Sequence, residues 1–357
     1  MADADAIATE VLQPIREYQR KLQKYRQTLI DTLEEEDYPF DPKIENFLKE
    51  YYQDDLGLKD EDVEAIALQV LPQSTSPTVY PNVITTPTSV APSAPQSFAL
   101  DLGNKVKLEM IAIPGGSFWM GSPDGVGSDD ERPRHQVAIE PFWMSKYPIT
   151  QTQYQAIAGK NPSNFKGNQR PVEQVSWWET IAFCEKLEEK SDRVFRLPSE
   201  AEWEYACRAG TETPFYFGKT ISTEQVNHNQ HYKQTTDVGS FPPNSFGLYD
   251  MHGNVWEWCA DHWHPNYNGA LKDGSAWKTS DDKAFRLLRG GSWLNDPDRC
   301  RSASRSKLSP DNQVSHFGFR VACSYLAQDS SLPFCSFPSA LSSLCPPSRF
   351  ARSYVRE

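Results

Sequence analysis

The chain has 357 residues, 36 Lys and Arg against 48 Asp and Glu, and a net charge of −12. An acidic chain without a basic stripe interleaved with aromatics repels phosphate backbones, which excludes nucleic acid as the expected partner. Ten Trp, 15 Tyr and 18 Phe beside 27 Pro and 19 Gly predict an aromatic core in a turn-rich framework.

The first residues, MADADAIATE, lack the basic and apolar blocks of a signal peptide, and no run approaches the roughly 18 apolar residues of a membrane span. The expectation is a soluble, cytoplasmic protein. Its seven Cys are odd in number and never form CxxC, which argues against a disulfide framework and a zinc site.

Ile7, Val11, Tyr18, Leu22, Tyr25, Leu29 and Leu33 recur at mostly three- and four-residue spacing and predict an amphipathic helix. Further helices are predicted over 42–53 and 60–71. Residues 1–72 carry 18 acidic and 8 basic side chains and so hold most of the negative charge. They read as a small helical module whose apolar face is either its own core or a dock for a protein partner. Residues 73–97, rich in Pro, Ser and Thr and nearly uncharged, read as an extended linker.

From Phe98 the texture changes. Val106, Leu108 and Met110 alternate with Lys105, Lys107 and Glu109 as in a half-buried strand, and a second strand precedes Pro148. Thr150 is placed to cap a helix running to Ala158, and Ser176 another over 177–190. Ser199 with Glu202 has the form of a capping box for a helix ending near Gly210. These helices, little sheet and much ordered loop predict an α+β domain over 98–324. Residues 325–357, again rich in Ser, Pro and Leu, read as a disordered tail.

The stretch 286–321 is the expected working surface. It begins with Leu287-Leu288 and Gly290-Gly291-Ser292-Trp293 and closes with Gly318-Phe319-Arg320-Val321. Between them lie about two dozen residues with no helical or alternating apolar period. Ordered loops of that length usually carry function. Leu294, Leu308, Val314 and Phe317 among Asn, Asp, Ser and His suit contact with a protein or other macromolecular ligand.

Ordered motifs run from Ile113-Pro114-Gly115-Gly116-Ser117-Phe118-Trp119-Met120-Gly121-Ser122 through Glu131-Arg132-Pro133 and Pro171-Val172 with Val175-Ser176-Trp177. They continue in Phe195-Arg196-Leu197-Pro198-Ser199-Glu200-Ala201-Glu202-Trp203 and in Gly247-Leu248-Tyr249-Asp250-Met251-His252-Gly253-Asn254-Val255-Trp256-Glu257-Trp258. Arg289-Gly290-Gly291-Ser292-Trp293 and Gly318-Phe319-Arg320 complete them. On these the sequence resembles the formylglycine-generating enzyme (sulfatase-modifying factor) family, which implies a variant of the C-type lectin fold over about 97–324, here preceded by a small N-terminal helical domain. Enzymes of that family hold copper with two cysteines five positions apart, the first lying three residues beyond Gly-Gly-Ser. Asn295 stands at the first position and Cys300 at the second. One thiolate and an amide do not make the two-thiolate site that Cu(I) prefers, so no copper is expected.

Within the fold, Gly-Gly-Ser-Trp, Pro297, Cys300-Arg301-Ser302-Ala303, Arg305, Pro310-Asp311-Asn312 and Gly-Phe-Arg-Val resemble the variable region of proteins diversified by retroelements. That resemblance makes Trp293, Pro297, Cys300, Arg301, Ala303, Arg305, Pro310 and Asp311 framework. It makes Leu294, Asn295, Asp296, Asp298, Arg299, Ser304, Ser306, Leu308, Ser309, Val314, Ser315, His316 and Phe317 the ligand-binding positions. Asp250, Gly253, Asn254, Val255 and Glu257 match the positions where the enzyme family holds a structural calcium, and hard oxygen donors in a turn suit Ca²⁺. Asp261-His262-Trp263-His264 offers two further metal donors without a visible third. The front segment resembles helical adaptor domains of bacterial signalling and conflict proteins. The implied function is non-catalytic ligand binding. A formylglycine-generating-type oxidoreductase acting on protein cysteine, and a signalling adaptor working through the helical module, remain alternatives.

Overall fold

A computed structural model describes residues 96–325 apart from residue 192, with scattered positions between 18 and 63. The predicted helices over 42–53 and 60–71, the linker and the tail lie largely outside the described residues. The described positions from Tyr18 to Thr32 are helical. Tyr25, Leu29, Leu48, Leu56, Leu58 and Val63 are buried in one cluster, so these apolar residues form a core of their own.

Strand β1 (Ser97–Gly103) begins at the last residue of the expected linker and runs into the expected domain, where no strand was predicted before Val106. Phe98, Leu100 and Leu102 turn inward while Ser97, Ala99 and Asp101 stay exposed, a period of two too short to stand out beside the Pro-rich run. It turns through Asn104 and Lys105, both at positive φ (53° and 65°), into β2 (Val106–Ile113). The hairpin β3 (Gly116–Met120) and β4 (His135–Ile139) follows, then β5 (Phe142–Ser145) before Pro148.

The three helices of the domain are those whose caps are written locally: α1 (Gln151–Ala158), α2 (Trp177–Glu188) and α3 (Glu200–Arg208). Thr150, Ser176 and Ser199 each accept from the backbone three residues on, and Gln153, Glu179 and Glu202 reach back to complete capping boxes. The remaining strands are β6 (Phe195–Arg196), β7 (Trp256–His262), β8 (Arg286–Arg289), β9 (Arg305–Leu308), β10 (Phe317–Gly318) and β11 (Ala322–Ser324).

Sheet content exceeds the expectation of little sheet. One sheet runs β1-β2-β5-β11-β6, the second β10-β7-β8-β9, and β3-β4 form a third of two strands. The second is the one that positions the loop: β8 starts it, β9 lies within it, and β10, parallel to β7, ends it. Tyr154 of α1 stacks on Phe183 of α2 at 5.5 Å, and Phe319 packs edge-on against both, which ties the far end of the loop to the helices. Trp143, Trp203 and Trp258 are wholly buried. Indole N–H groups of the last two donate to Glu257 and to the Val175 carbonyl at 2.7 and 3.0 Å. No helix of the described residues is long and apolar enough to cross a membrane.

Candidate functional site

After β8, Gly290 and Gly291 take φ of 96° and 73°, the left-handed region that favours glycine. A Cβ on Gly291 would lie 2.5 Å from Cys300 Sγ and 2.9 Å from the Arg299 carbonyl oxygen, so only glycine lets the chain fold back this closely. Asp296 accepts from Arg299 N at 3.2 Å and caps a single 3-10 turn, Pro297–Cys300. The segment is therefore an ordered structure with turns and a strand, not a uniform loop.

Arginines staple it down. Arg289 donates to the Ser302, Ala303 and Ser304 carbonyls at 2.9–3.0 Å while pairing with Glu204 of α3. Arg301 forks onto Glu131 at 2.8 and 2.7 Å, and Arg305 onto Glu200 at 2.7 and 3.1 Å. Arg320 forks onto Glu257 at 2.6 and 2.9 Å. Burial pushes Glu204 up, but Arg208 and Arg289 outweigh it and hold the carboxyl below its usual range.

Trp293 leads the first arm of the surface. Its N–H bonds the Asn254 carbonyl at 3.0 Å, and its carbonyl accepts from Gln230 at 2.7 Å. Asn295 accepts from Asn229 N at 2.6 Å. The second arm, 314–316, comes alongside: Trp293 Nε1 donates to the Ser315 carbonyl at 3.5 Å, and the His316 carbonyl accepts from Trp256 at 2.9 Å. Phe165 stands edge-on to the Trp293 ring at 5.4 Å.

The thirteen ligand-binding positions divide accordingly. Leu294, Asp296, Asp298 and Arg299 are exposed, and Asn295, Val314, Ser315 and His316 are half-buried on the same face. Ser306, Leu308 and Ser309 are half-buried on and after β9, where Leu308 and also Val314 pack against the core. Two expectations are corrected. Ser304, 2 % exposed, lies under the Arg289 clamp, and Phe317, 7 % exposed, packs edge-on to Trp258. Both are framework: Ser304 precedes β9 and is held by Arg289, and Phe317 opens β10 against the core. Phe165, Asn229 and Gln230 were missed by sequence reasoning. The only local signal was positive φ-tolerant Asn-Gln at 229–230, where φ is 53° and 56°.

A cavity of about 130 Å³ lined by Pro123, Val126, Pro214, Arg301 and Ala303 sits beside the stapled turn, below the roughly 300–1,000 Å³ of small-molecule sites.

Cys300 is wholly buried, and burial pushes its thiol up to about 12, far from the thiolate that copper needs. Among the described residues no group of three or more His, Cys, Asp or Glu is placed to hold a metal ion. His262 Nδ1 meets Thr279, and His264 stacks on Trp277 at 3.6 Å, which removes the two-histidine candidate.

The calcium positions fit in part. Asn254 is not available, because its Oδ1 already accepts from Thr236 N at 3.0 Å and Asn227 Nδ2 at 3.3 Å. Glu257 Oε2 accepts from Trp203 and Arg320, leaving one lone pair on Oε1. Asp250 Oδ2 accepts from Gly239 N at 2.7 Å, while its buried Oδ1 has no donor. Burial, with Glu257 adding to it, pushes Asp250 up to about 6. Among these carboxylates, Asp250 Oδ1 and one lone pair of Glu257 Oε1 are left without a donor, and hard oxygens of this kind suit a cation such as Ca²⁺.

Two curled sheets, few helices and an arginine-stapled surface segment between β8 and β10 define a C-type-lectin-like domain of mixed α and β structure. The chain belongs to the sulfatase-modifying factor enzyme 1-like domain family, whose model matches residues 102–325. It is 31% identical over 242 residues to the serine/threonine-protein kinase pkn1 of Chlamydia pneumoniae, covering 60% of this chain and 38% of the kinase. It is 27% identical to the mouse formylglycine-generating enzyme, over 61% of this chain and 76% of the enzyme. Bovine inactive C-alpha-formylglycine-generating enzyme 2 matches at 28%. Among solved structures, PvdO from Pseudomonas aeruginosa superposes with a TM-score of 0.60 at 35% identity, over 66% of this chain and all of that one. Treponema denticola variable protein 1 does so at 0.59 and 28%, over 65% of this chain and all of that one.

Proposed function

We propose that the chain is a non-catalytic binding protein that presents a ligand surface on the 293–316 face, with Leu294, Asn295, Ser315 and His316 at its centre. The carrying observation is the division of labour within the segment. Arginines fix its backbone through distant carboxylates, while Leu294, Asp298 and Arg299 stay exposed and Asn295, Ser315 and His316 lie half-buried on the same face. A backbone held this way tolerates changed side chains and loses little entropy on binding. The mixed apolar and polar side chains suit a protein or other macromolecular ligand, and the likeness to a variable protein supports the same reading. The helical module at 1–72 would pass binding on to a protein partner.

Sequencing the Arg286–Val321 coding stretch and its flanking DNA across many cells of one culture tests this reading. The expected result is a near-copy differing at adenines, with substitutions at Leu294, Asn295, Ser315 and His316. Arg289, Arg301, Arg305 and Arg320, with buried Ser304 and Phe317, should stay fixed. An invariant stretch together with tight Cu(I) binding at Cys300 would overturn it in favour of the oxidoreductase reading.

We also propose a structural Ca²⁺ held by Asp250, Gly253, Val255 and Glu257. Millimolar Ca²⁺ should raise the Tm and EGTA reverse it, since a ligand that binds only the folded state stabilises it. Asp250→Asn, which tolerates the φ of 55° at this position, should abolish the shift. An unchanged Tm in the unsubstituted chain would rule the ion out.

A further inference from the structure

Glu173 is wholly buried between the α1–α2 loop and the Trp293–His316 face. The buried carboxylates of Glu131, Glu200, Glu202, Glu204 and Glu257 each pair with an arginine. Glu173 has no ion pair among the described residues. Its Oε1 accepts from Phe165 N at 2.7 Å, and its Oε2 has no donor. Its own N–H donates to Ser163 Oγ at 3.1 Å, and the next residue, Gln174, donates to the Val314 carbonyl at 3.1 Å. The acid is therefore pinned between the 163–165 tip of the loop and the second arm of the face. A charge in such a place is costly when one of its oxygens is left bare.

Burial pushes Glu173 up to about 7, against the Phe165 and Asn164 N–H groups and Lys166, which pull it down. Lys166 is the charged group on the loop that acts on it, and its Nζ is bonded to the Asn161 carbonyl at 3.0 Å. On the second arm the titratable group is His316, held below the usual imidazole range by burial. What Glu173 fastens reaches the face directly, because Phe165 stands edge-on to the Trp293 ring at 5.4 Å. The rest of the loop is held by Gln151 of α1. Its Nε2 donates to the Phe165 carbonyl at 2.7 Å, and its Oε1 accepts from Asn161 Nδ2 at 2.9 Å and Gly167 N at 3.1 Å. A neutral amide, which ignores pH, thus secures the ends of the loop, and an acid secures its tip.

We propose that Glu173 is a proton-operated latch beneath the Trp293–His316 face: protonated, it keeps the 163–165 tip closed with Phe165 against Trp293, and ionised, it draws water to Oε2 and loosens the tip. The latch belongs to the fold and does not rest on the reading of that face as a ligand surface. The closed form keeps the proton, and the loosened form gives it up at the ordinary value of 4.5. Closure is therefore fully favoured below about 4.5 and is lost as pH rises to about 7. Within that window each pH unit shifts the ratio of closed to loosened forms by at most about tenfold.

Fluorine NMR of the full chain labelled with fluorotryptophan tests the proposal, with the Trp293 resonance assigned by its loss in Trp293→Phe. In a pH titration that resonance should move with a midpoint near 7. The step should persist in His316→Gln and vanish in Glu173→Gln, whose amide still accepts from Phe165 N but carries no charge. Calorimetry adds a second readout: relative to the parent, the Tm of Glu173→Gln should climb across the window and level off above about pH 7. If Glu173→Gln fails to fold, hydrogen exchange of the 161–168 segment in the parent decides, and a rise above about pH 7 beyond the intrinsic chemical rate is expected. No step at Trp293, a midpoint below about 5, a step that survives Glu173→Gln, or exchange that follows the intrinsic rate alone overturns the proposal.

Discussion

Glu204→Gln should lower the stability of the lectin-like domain by about 3–5 kcal/mol, the usual cost of stranding one member of a buried ion pair. Glu204 is wholly buried on α3 and accepts from Arg208 Nε at 2.9 Å, from Gly121 N at 3.0 Å and from Arg289. An amide keeps the shape but leaves Arg289 with the weaker Glu200 contact at 3.6 Å as its nearest carboxylate. Arg289 also clamps the Ser302–Ser304 carbonyls, so the loss spreads into the surface segment. For a domain of this size each kcal/mol moves the Tm by about 2–4 °C, so calorimetry should show a fall on the order of 10 °C. A Tm within a degree or two of the parent would show that the pair does not hold the fold.

Gly291→Ala should be nearly as damaging, and for a backbone reason. Alanine at φ 73° brings left-handed strain, and its Cβ meets Cys300 Sγ at 2.5 Å and Cys300 Cα at 2.9 Å. Strain and overpacking together cost about 2–5 kcal/mol. Relief requires the Pro297–Cys300 turn to move outward, which uncovers a thiol that is 0 % exposed in the parent. Thiol labelling mapped by mass spectrometry should therefore leave Cys300 unmodified in the parent and modify it in the variant. Equal labelling of both chains would contradict the packing described here.

The helices of the domain were legible because their signals are local. Thr150, Ser176 and Ser199 each bond within three residues, and the structure starts α1, α2 and α3 at those caps. The ordered motifs likewise carried the C-type lectin resemblance, since Gly-Gly at 290–291 and Gly-Phe-Arg at 318–320 are demanded by backbone and ion-pair geometry. β1 was missed because Ser97 and Ala99 blend with the Pro- and Ser-rich run before them. The β3–β4 hairpin was also missed, since exposed Trp119 breaks the apolar alternation.

The surface segment shows where reading by sequence ends. Its location between 286 and 321 follows from its missing period and its framed ends, and the chain alone determines that much. Which of its residues face outward is decided by pairings across long separations: Arg289 with Glu204, 85 residues apart, Arg305 with Glu200 at 105, and Arg301 with Glu131 at 170. Those pairings pin the Ser302–Ser304 turn and the start of β9 to the body of the domain. Packing puts Ser304 under the Arg289 clamp and Phe317 against Trp258, and leaves Leu294 and Asp298 in water. Local spacing carries no record of a partner a hundred residues away, so only the closed tertiary structure separates framework from surface.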